Sequence, residues 1–284
     1  MQTNPTFRSL PALALALLFM ATTAFGQAPK KMFSEVHYYK IKPSHTLTEA
    51  RAFENEFKKV HQAQTNEGTI DGWYMLALNT TTNPNEEYNY ITIKNFSDVD
   101  YMDNAYPEAA LKKGWGNNYQ EKVTELTKQS RELIELVKSE IWEIYDGASI
   151  TPIPSPDKLP VWMIADAKVK NGQYEEYINQ VKKLKPYMQE RLNMGDGGVY
   201  TFAGLAFPWG SEKKYDMAWV IQMANRKSMI DDSNAEAAYK KAMPGVDRKQ
   251  VLKELNNLAD VVRQEEYHLM EYAVKAPTTE QAKK

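Results

Sequence analysis

The sequence contains no cysteine. This absence excludes disulfides, thiolate catalysis, Cys-ligated metal sites and lipid attachment to a cysteine. The chain also lacks a large excess of charge of either sign, since 35 Lys and Arg residues stand against 37 Asp and Glu residues. Nucleic-acid binding needs a concentrated basic surface, and here acidic and basic residues are interspersed. We therefore expect no nucleic-acid partner.

Long apolar runs are scarce as well. One of them, over residues 10–21, follows Arg8 and precedes the small-residue stretch Ala24-Phe25-Gly26. This order is typical of a secretory signal peptide, which we predict over residues 1–26. No later segment approaches 18 continuous apolar residues, so we expect no membrane contact once the signal is removed. The mature chain is then expected to be exported and soluble, in a periplasm or outside the cell.

The chain does contain an internal repeat. Residues 108–113 read EAALKK and residues 236–241 read EAAYKK, so the spacing is 236 − 108 = 128 residues. The same spacing relates two further pairs of segments, 40–42 with 168–170 and 141–143 with 269–271. Agreement near the start, middle and end of each half predicts a tandem duplication.

Each half shows the residue pattern of strand, helix, two strands, helix and strand. The first helix of each half, predicted over 46–65 and 173–192, has apolar residues at spacings of three and four. Prolines at 152, 154, 156 and 160 separate the halves and indicate an extended linker. The predicted organisation is a signal peptide (1–26), a leader (27–34), a first domain (35–147), a Pro-rich linker (148–160), a second domain (161–275) and a flexible tail (276–284).

The strand and helix order in each half is that of a ferredoxin-like α+β domain. Strand residues such as Tyr90, Ile91 and Ile93 are apolar on both sides, which indicates that both sheet faces are buried. We therefore predict an α+β fold in which two ferredoxin-like βαββαβ domains pack sheet to sheet as an intramolecular pseudo-dimeric barrel.

This arrangement resembles the dimeric α+β barrel superfamily over residues 35–275, on element order and duplication. Its members include antibiotic-biosynthesis monooxygenases, haem-degrading monooxygenases, NIPSNAP-like proteins and tandem chlorite-dismutase-like haem proteins. The resemblance implies a small-molecule ligand in the cavity between the sheets and an oxygenase-like activity. The tandem haem proteins hold haem through a His on a helix of the second half, whereas the second half here has only His268, predicted on a strand. The cofactor is therefore left unknown.

Four residues are candidates for catalysis. Glu143 and Glu271 fall at matching positions of the repeat, and two converging carboxylates could serve as acid and base. The alternative is that both face water, since alternation along a strand leaves open which set of side chains faces the cavity. His37 and His268 lie on predicted strands and interrupt the repeat, as expected if only one half has kept a site. We predict catalytic roles for His268, Glu271, Glu143 and His37.

Ligand contacts are predicted for Tyr38, Asp166 and Trp142. Tyr38 and Asp166 occupy matching repeat positions with different chemistry, and the 17 Tyr and 6 Trp residues could line a pocket. No metal site is predicted. Two functions stay open, a small-molecule enzyme and a non-catalytic secreted binding or stress-associated module. An enzyme needs at least two titratable groups converging in one cavity. The sequence also leaves open whether the protein forms a homo-oligomer.

Overall fold

A computed structural model describes residues 31–83, 85 and 87–275. The predicted signal peptide, the first half of the leader (27–30) and the predicted tail lie outside the described residues. The strands are β1 (Met32–Ile41), β2 (Gly72–Thr81), β3 (Tyr90–Phe96), β4 (Ile134–Ser149), β5 (Val161–Val169), β6 (Val199–Phe207), β7 (Met217–Met223) and β8 (Ala259–Val274). The helices are α1 (Leu47–Glu67), α2 (Glu108–Trp115), α3 (Tyr119–Leu133), α4 (Tyr174–Lys183), α5 (Lys185–Asn193), α6 (Arg226–Ile230), α7 (Ala235–Ala242) and α8 (Arg248–Leu258).

The strands form a closed antiparallel barrel in the order β1-β3-β2-β8-β5-β7-β6-β4, and β4 pairs again with β1. The first half contributes β4-β1-β3-β2 and the second half contributes β8-β5-β7-β6, which is the same order. Two seams, β2 with β8 and β4 with β6, join the halves. The predicted α+β fold, with two four-stranded sheets enclosing a lumen, is confirmed.

The core has an inner and an outer part because each sheet is covered on both faces. The inner part fills the lumen with side chains from both halves, among them Val36, Ile91, Trp142, Trp162 and Leu269. The outer part lies between the sheets and the helices, with separate clusters for the first and the second half. The inner and outer parts of the core together explain why the strands carry apolar side chains on both faces.

Helix α1 shows how local chemistry sets an element boundary. The Thr46 hydroxyl accepts a hydrogen bond from the Glu49 backbone N–H, and the Glu49 carboxylate accepts one from the Thr46 N–H at 2.7 Å. This capping box satisfies donors that a helix start leaves free. The helix ends before Gly68, whose φ of 77° suits glycine. The prediction of 46–65 is close to the observed bounds.

The last helix of each half ends earlier than expected. The sequence predicts a helical region over 107–137 that is interrupted near residues 114–116. Gly116, at φ 77°, does separate α2 from α3, but β4 already begins at Ile134. In the second half the sequence predicts a helix over about 234–263, whereas β8 begins at Ala259. The first strand starts at Met32, inside the predicted leader. Pairing within the barrel outweighs local periodicity at these boundaries.

The strand registers also change the alignment between the halves. Val36 pairs with Glu140, and Ile164, which lies 128 residues after Val36, pairs with Glu265. The spacing in the last strands is therefore 265 − 140 = 125 residues, three fewer than in the first strands. The predicted match of Glu143 with Glu271 is therefore wrong. With a spacing of 125 residues, His268 occupies the position equivalent to Glu143.

Among the described residues, no helix has the length and apolar character needed to cross a membrane.

Candidate functional site

The barrel lumen brings together three of the seven predicted site residues. Tyr38, Trp142 and Asp166 line one cavity of about 90 Å³ inside the barrel, which we call the interior cavity. Alternation along β4 points Trp142 inward, and Glu143 lies on the other face of that strand. The three predicted ligand contacts thus lie in one cavity wall.

The four predicted catalytic residues lie outside the lumen and do not converge. Glu143 forms an ion pair with Lys31 at 2.6 Å, and His37 contacts the Glu35 carboxylate at 3.3 Å. His268 is exposed on β8. The Glu271 carboxylate is bound from α1 by Arg51, Asn55 and Lys58, at distances of 2.6 to 3.3 Å. Each belongs to the outward set of its strand, the assignment that the sequence left open.

The structure instead places a buried carboxylate, Glu140, at one end of the lumen. It accepts hydrogen bonds from the hydroxyls of Tyr38 at 2.8 Å and Tyr215 at 2.5 Å. The Lys138 ammonium donates to it at 2.8 Å and the Trp142 indole N–H at 3.3 Å. Glu140 is only 5% exposed, so these four donors replace the water it has lost.

A second group is centred on Arg263. Its guanidinium contacts the Asp166 carboxylate at 2.6 and 2.7 Å and the Glu265 carboxylate at 3.4 Å. Glu265 in turn accepts hydrogen bonds at 2.7 Å from the hydroxyls of Tyr88 and Tyr267. Lys138, Glu140, Asp166, Arg263 and Glu265 together form what we call the charged layer.

The two groups are related by the repeated strand order. Lys138 and Arg263 occupy equivalent positions, as do Glu140 and Glu265, because each pair is separated by 125 residues. Tyr215 of the second half donates to Glu140, and Tyr88 of the first half donates to Glu265. Equivalent residues therefore meet at this end of the barrel, and each half completes the other's carboxylate site.

Sequence reasoning missed Glu140, Glu265, Lys138 and Arg263. The 128-residue spacing aligns Glu140 with His268 and hides the match. A shift of three residues would have aligned Lys-x-Glu-x-Trp at 138–142 with Arg-x-Glu-x-Tyr at 263–267. That shared pattern of cation, carboxylate and aromatic ring is the signal that could have found the layer.

The charged layer holds three carboxylates and two cations away from water. Burial raises the pKa of Asp166 to about 6, and Arg263 opposes this rise only in part. Burial lowers the pKa of Lys138, and the Glu140 carboxylate opposes that shift. Burial also works against the charge of Arg263, but Asp166 and the neighbouring tyrosines outweigh it and raise the Arg263 pKa. The Asp166 carboxyl group therefore changes its protonation state in mildly acidic solution, whereas the Arg263 guanidinium stays positively charged.

The phenols around the layer stay protonated. Burial raises the pKa values of four of them, Tyr38, Tyr88, Tyr215 and Tyr267. They therefore act as hydrogen-bond donors to Glu140 and Glu265 at neutral pH.

A larger cavity of about 510 Å³ opens on the other side of this layer, and we call it the mouth cavity. Lys138, Glu140, Arg263, Tyr88 and Tyr215 line it together with Leu205 and Val262. Residues from the β2–β3 and β6–β7 connections complete the wall, namely Thr82, Asn83, Glu87, Pro208, Glu212, Lys213 and Lys214. The volume and the convergent polar groups are typical of a small-molecule site.

The described residues do not fit the haem site that the resemblance implies. Helices α4 to α8 of the second half contain no His, and His268 is exposed on β8. A His on a helix of the second half is therefore missing as an axial ligand. Within 31–83, 85 and 87–275, no group of three or more His, Asp or Glu side chains could hold a metal ion.

No protein-family model and no curated protein matches the sequence. Solved structures match its fold. A protein of Fusobacterium nucleatum subsp. nucleatum, described provisionally as a monooxygenase, is 8% identical with a TM-score of 0.57, over 88% of this chain and 97% of that chain. A second protein provisionally described in the same way, from Lactobacillus acidophilus, is 11% identical with a TM-score of 0.47, over 86% and 96% of the two chains.

A chlorite dismutase variant of Candidatus Nitrospira defluvii is 8% identical with a TM-score of 0.41, over 89% of this chain and 94% of that chain. At such low identity the likeness shows the fold alone. This chain accordingly has the fold of a dimeric α+β barrel, with both sheets of the barrel supplied by one polypeptide.

Proposed function

We propose that this protein is a small-molecule enzyme of oxygenase-like type, with the mouth cavity as its substrate site. The observation that carries the proposal is the convergence of Lys138, Glu140 and Arg263 at the base of a cavity of about 510 Å³. A non-catalytic binder needs no such set of buried charges, because aromatic walls and one or two donors are sufficient. The fold shared with proteins described as monooxygenases is consistent with this reading.

The side chains at the base of the cavity suit proton abstraction. Glu140 is the candidate acceptor for a proton from an acidic O–H or C–H group of the substrate. Lys138 and Arg263 lie beside it in a water-poor site and stabilise the anion that forms, because fixed charges act strongly there. Such an anion is richer in electrons than its parent and reacts more readily with dioxygen. In this scheme the cations hold the substrate anion while Glu140 carries the proton.

The test is oxygen uptake with a panel of polycyclic phenols, measured with an oxygen electrode. We expect wild-type protein to consume oxygen with at least one phenol, and Glu140→Gln to slow this by about 100-fold or more, because general-base catalysis contributes at least that factor. Glu143→Gln is the matched control, since Glu143 lies on the same strand and faces outward. Equal rates for wild type and Glu140→Gln would refute the assigned role.

A binding module without turnover is the second candidate, and exposed aromatic residues favour it. Trp209 is 82% exposed and Phe207 58% exposed, beside Pro208 in the cavity wall. Such residues are found at ligand- and partner-binding surfaces. The probe anilinonaphthalene sulfonate, a flat aromatic anion, separates the two candidates. The binding module is favoured if Trp209→Ala weakens binding of the probe, Glu140→Gln leaves binding of the probe unchanged, and no phenol is consumed.

We further propose that the barrel arose by tandem duplication and that the protein is exported. The recurring strand order and the pairs Glu140/Glu265 and Tyr88/Tyr215 support the duplication. The residue pattern of 1–26 supports export. Intact-mass analysis of the protein from a bacterial periplasmic fraction should give a chain that begins at Gln27. A mass that retains residues 1–20 contradicts export by this signal.

A further inference from the structure

The interior cavity lies on the opposite side of the charged layer from the mouth cavity. Tyr38 and Asp166 line the interior cavity, whereas Lys138, Glu140 and Arg263 line the mouth cavity. The layer therefore forms a wall between two spaces of different character. Half of the residues that line the interior cavity are aliphatic, namely Val36, Ile91, Ile93, Ile144, Ile164, Ala203, Ala218 and Val220.

The polar groups near the middle of the interior cavity bond to protein atoms. The Tyr38 hydroxyl and the Trp142 indole N–H donate to Glu140. Near the other end of the cavity, where Trp162 pairs with Gln222, the Trp162 indole N–H donates to the Leu159 carbonyl at 3.0 Å. These groups are already engaged, and the Thr201 hydroxyl is a further polar group of the wall near the middle. A buried water molecule needs two to four polar partners, more than this one hydroxyl supplies. The middle of the cavity therefore favours an apolar occupant over water.

The charged side chain of the interior wall is engaged in the same way, because the Asp166 carboxylate accepts from Arg263 at 2.7 Å. Apart from Thr201, which pairs with Val220, the other polar side chains Ser34, Asn95 and Gln222 lie at the end away from the charged layer. Ser34 pairs with Asn95 across β1 and β3, and Val199 pairs with Gln222 across β6 and β7, both far along the strands from Tyr38. Ser34 also donates to Asn95 at 2.7 Å. The cavity is therefore polar at this end and apolar between this end and the charged layer.

The size of the space limits what it can hold. Its volume of about 90 Å³ exceeds the roughly 10–15 Å³ that one water-sized probe occupies. It is far smaller than the mouth cavity of about 510 Å³. A drug-sized organic molecule does not fit without movement of the strands, whereas a molecule of a few atoms does.

We propose that the interior cavity is a second binding site, which takes a small, uncharged, apolar molecule of the size of dioxygen. The occupant lies against Tyr38 and Trp142, both of which donate to Glu140 at the base of the mouth cavity. Two reactants could thus reach the charged layer from opposite sides. Binding in the interior cavity stands on its own geometry, and only its part in turnover rests on the function proposed above.

Xenon is the probe, because it is apolar, small and detectable by 129Xe NMR. We expect the xenon chemical shift to change with wild-type protein in a saturable manner. Ala203→Leu and Ala218→Leu, tested separately, fill the cavity from two strands and should weaken binding at least about fivefold. Ala206→Leu is the matched control, since it lies on β6 and does not line the cavity. Near-ultraviolet circular dichroism and the melting temperature show which variants are folded.

The proposal is overturned if wild-type protein causes no saturable xenon shift, or if both folded leucine variants bind xenon as tightly as Ala206→Leu does. Anilinonaphthalene sulfonate binding reports on the mouth cavity in the same variants and should stay unchanged. Saturable xenon binding without oxygen uptake supports this second site and counts against the enzyme function. If the leucine variants keep both oxygen uptake and xenon binding at the wild-type level, the enzyme function is supported and the second site is refuted.

Discussion

Arg263 holds the charged layer together. Its guanidinium lies 4.7 Å from the centre of the Tyr215 ring while it binds the carboxylates of Asp166 and Glu265. Asp166 is 1% exposed and Glu265 is 2% exposed, so neither can turn to water. Removing one partner from such a buried ion pair leaves an uncompensated charge, which costs more than the pair itself contributes.

Replacing Arg263 with Met should therefore lower the free energy of unfolding by about 3–5 kcal/mol at pH 7. Urea denaturation measures this change. Lys112→Met is the control, because Lys112 pairs with Glu108 at 2.7 Å and the two side chains are 53% and 62% exposed, so its loss should leave the urea midpoint nearly unchanged. Similar midpoints for the two variants would show that the layer does not depend on Arg263.

Another buried carboxylate, outside the charged layer, lies on the outer face of the first half. Glu54 on α1 is 5% exposed and accepts a hydrogen bond from the Tyr90 hydroxyl at 2.9 Å. Burial raises the pKa of Glu54 to about 7, and it lowers the pKa of the nearby Lys94 to about 8. Because the folded protein binds the Glu54 proton more tightly than the unfolded chain, this residue adds stability below pH 4.5 that is lost as the pH rises through about 7.

Glu54→Gln should remove this dependence, since the amide carries no charge and its oxygen still accepts from Tyr90. The shift of the Glu54 pKa from 4.5 to about 7 corresponds to a free-energy difference of roughly 3 kcal/mol between the two protonation states. We expect the variant to exceed wild type in unfolding free energy by about that amount at pH 8 and to be close to it at pH 4.5. Denaturant titrations at the two pH values provide the measurement. A gap of the same size at both would mean that Glu54 is not the titrating group.

At the residue scale, the sequence placed Tyr38, Trp142 and Asp166 in one site but missed Glu140 and Glu265. A one-residue change of phase along a strand moves a side chain to the opposite face, so pattern alone could not separate Glu140 from Glu143. The three-residue difference between the halves leaves one short trace in the sequence, the shared pattern of cation, carboxylate and aromatic ring at 138–142 and 263–267. The pairing of β4 with β1 and of β8 with β5 is what establishes it.

Helices α1 and α2 approach each other closely at Gly114. A Cβ atom added there would lie 2.9 Å from the Val60 backbone nitrogen and 3.0 Å from its Cα. Backbone atoms of a helix cannot move aside as a flexible side chain can. The matching position of the repeat, 128 residues later, is Ala242 at the end of α7. The first half therefore requires a glycine where the second half tolerates a side chain.

Gly114→Ala gains about 1 kcal/mol of helix propensity, but it forces the two helices apart. Overpacking of this kind costs about 1–3 kcal/mol, so we expect a net loss of stability and a lower melting temperature. Ala242→Gly serves as the reference for propensity alone and should cost about 1 kcal/mol. A rise in melting temperature for Gly114→Ala would contradict the close approach of α1 and α2.

At the element scale, the order of strands and helices could be read from the sequence, but several boundaries could not. The segment from Leu133 to Val137 continues the apolar spacing of α3, yet Ile134 already pairs with Ile41 in β1. Local periodicity reports what a segment could form alone, whereas the partner strand decides where the helix stops. The early start of β8 at Ala259 has the same cause, through pairing with Val169.

The lumen is shared by both halves of the whole molecule. Val36, Ile91 and Trp142 of the first half pack in one cluster with Trp162 and Leu269 of the second. The sheet-to-sheet arrangement was predictable because the strands are apolar on both faces. The cavities were not, since their shape depends on how side chains from both sheets fill the lumen.

Each half alone should therefore expose the lumen face of its sheet. We expect fragments 31–150 and 159–275, expressed separately, to self-associate or to unfold without cooperativity, because a large apolar patch is exposed. Analytical ultracentrifugation and urea denaturation test this. A fragment that is monomeric and unfolds cooperatively would mean that its inner face is stable in water.

The closed ring of strands has a consequence for aggregation. Each of the eight strands described pairs with a neighbour on both sides. The described barrel thus presents no row of free backbone N–H and C=O groups to which a strand of another molecule could add. Growth of fibrils by strand addition must then begin with the opening of one of the two seams. Variants that weaken the β2–β8 or β4–β6 seam should accordingly aggregate sooner than variants equally destabilised within the helices.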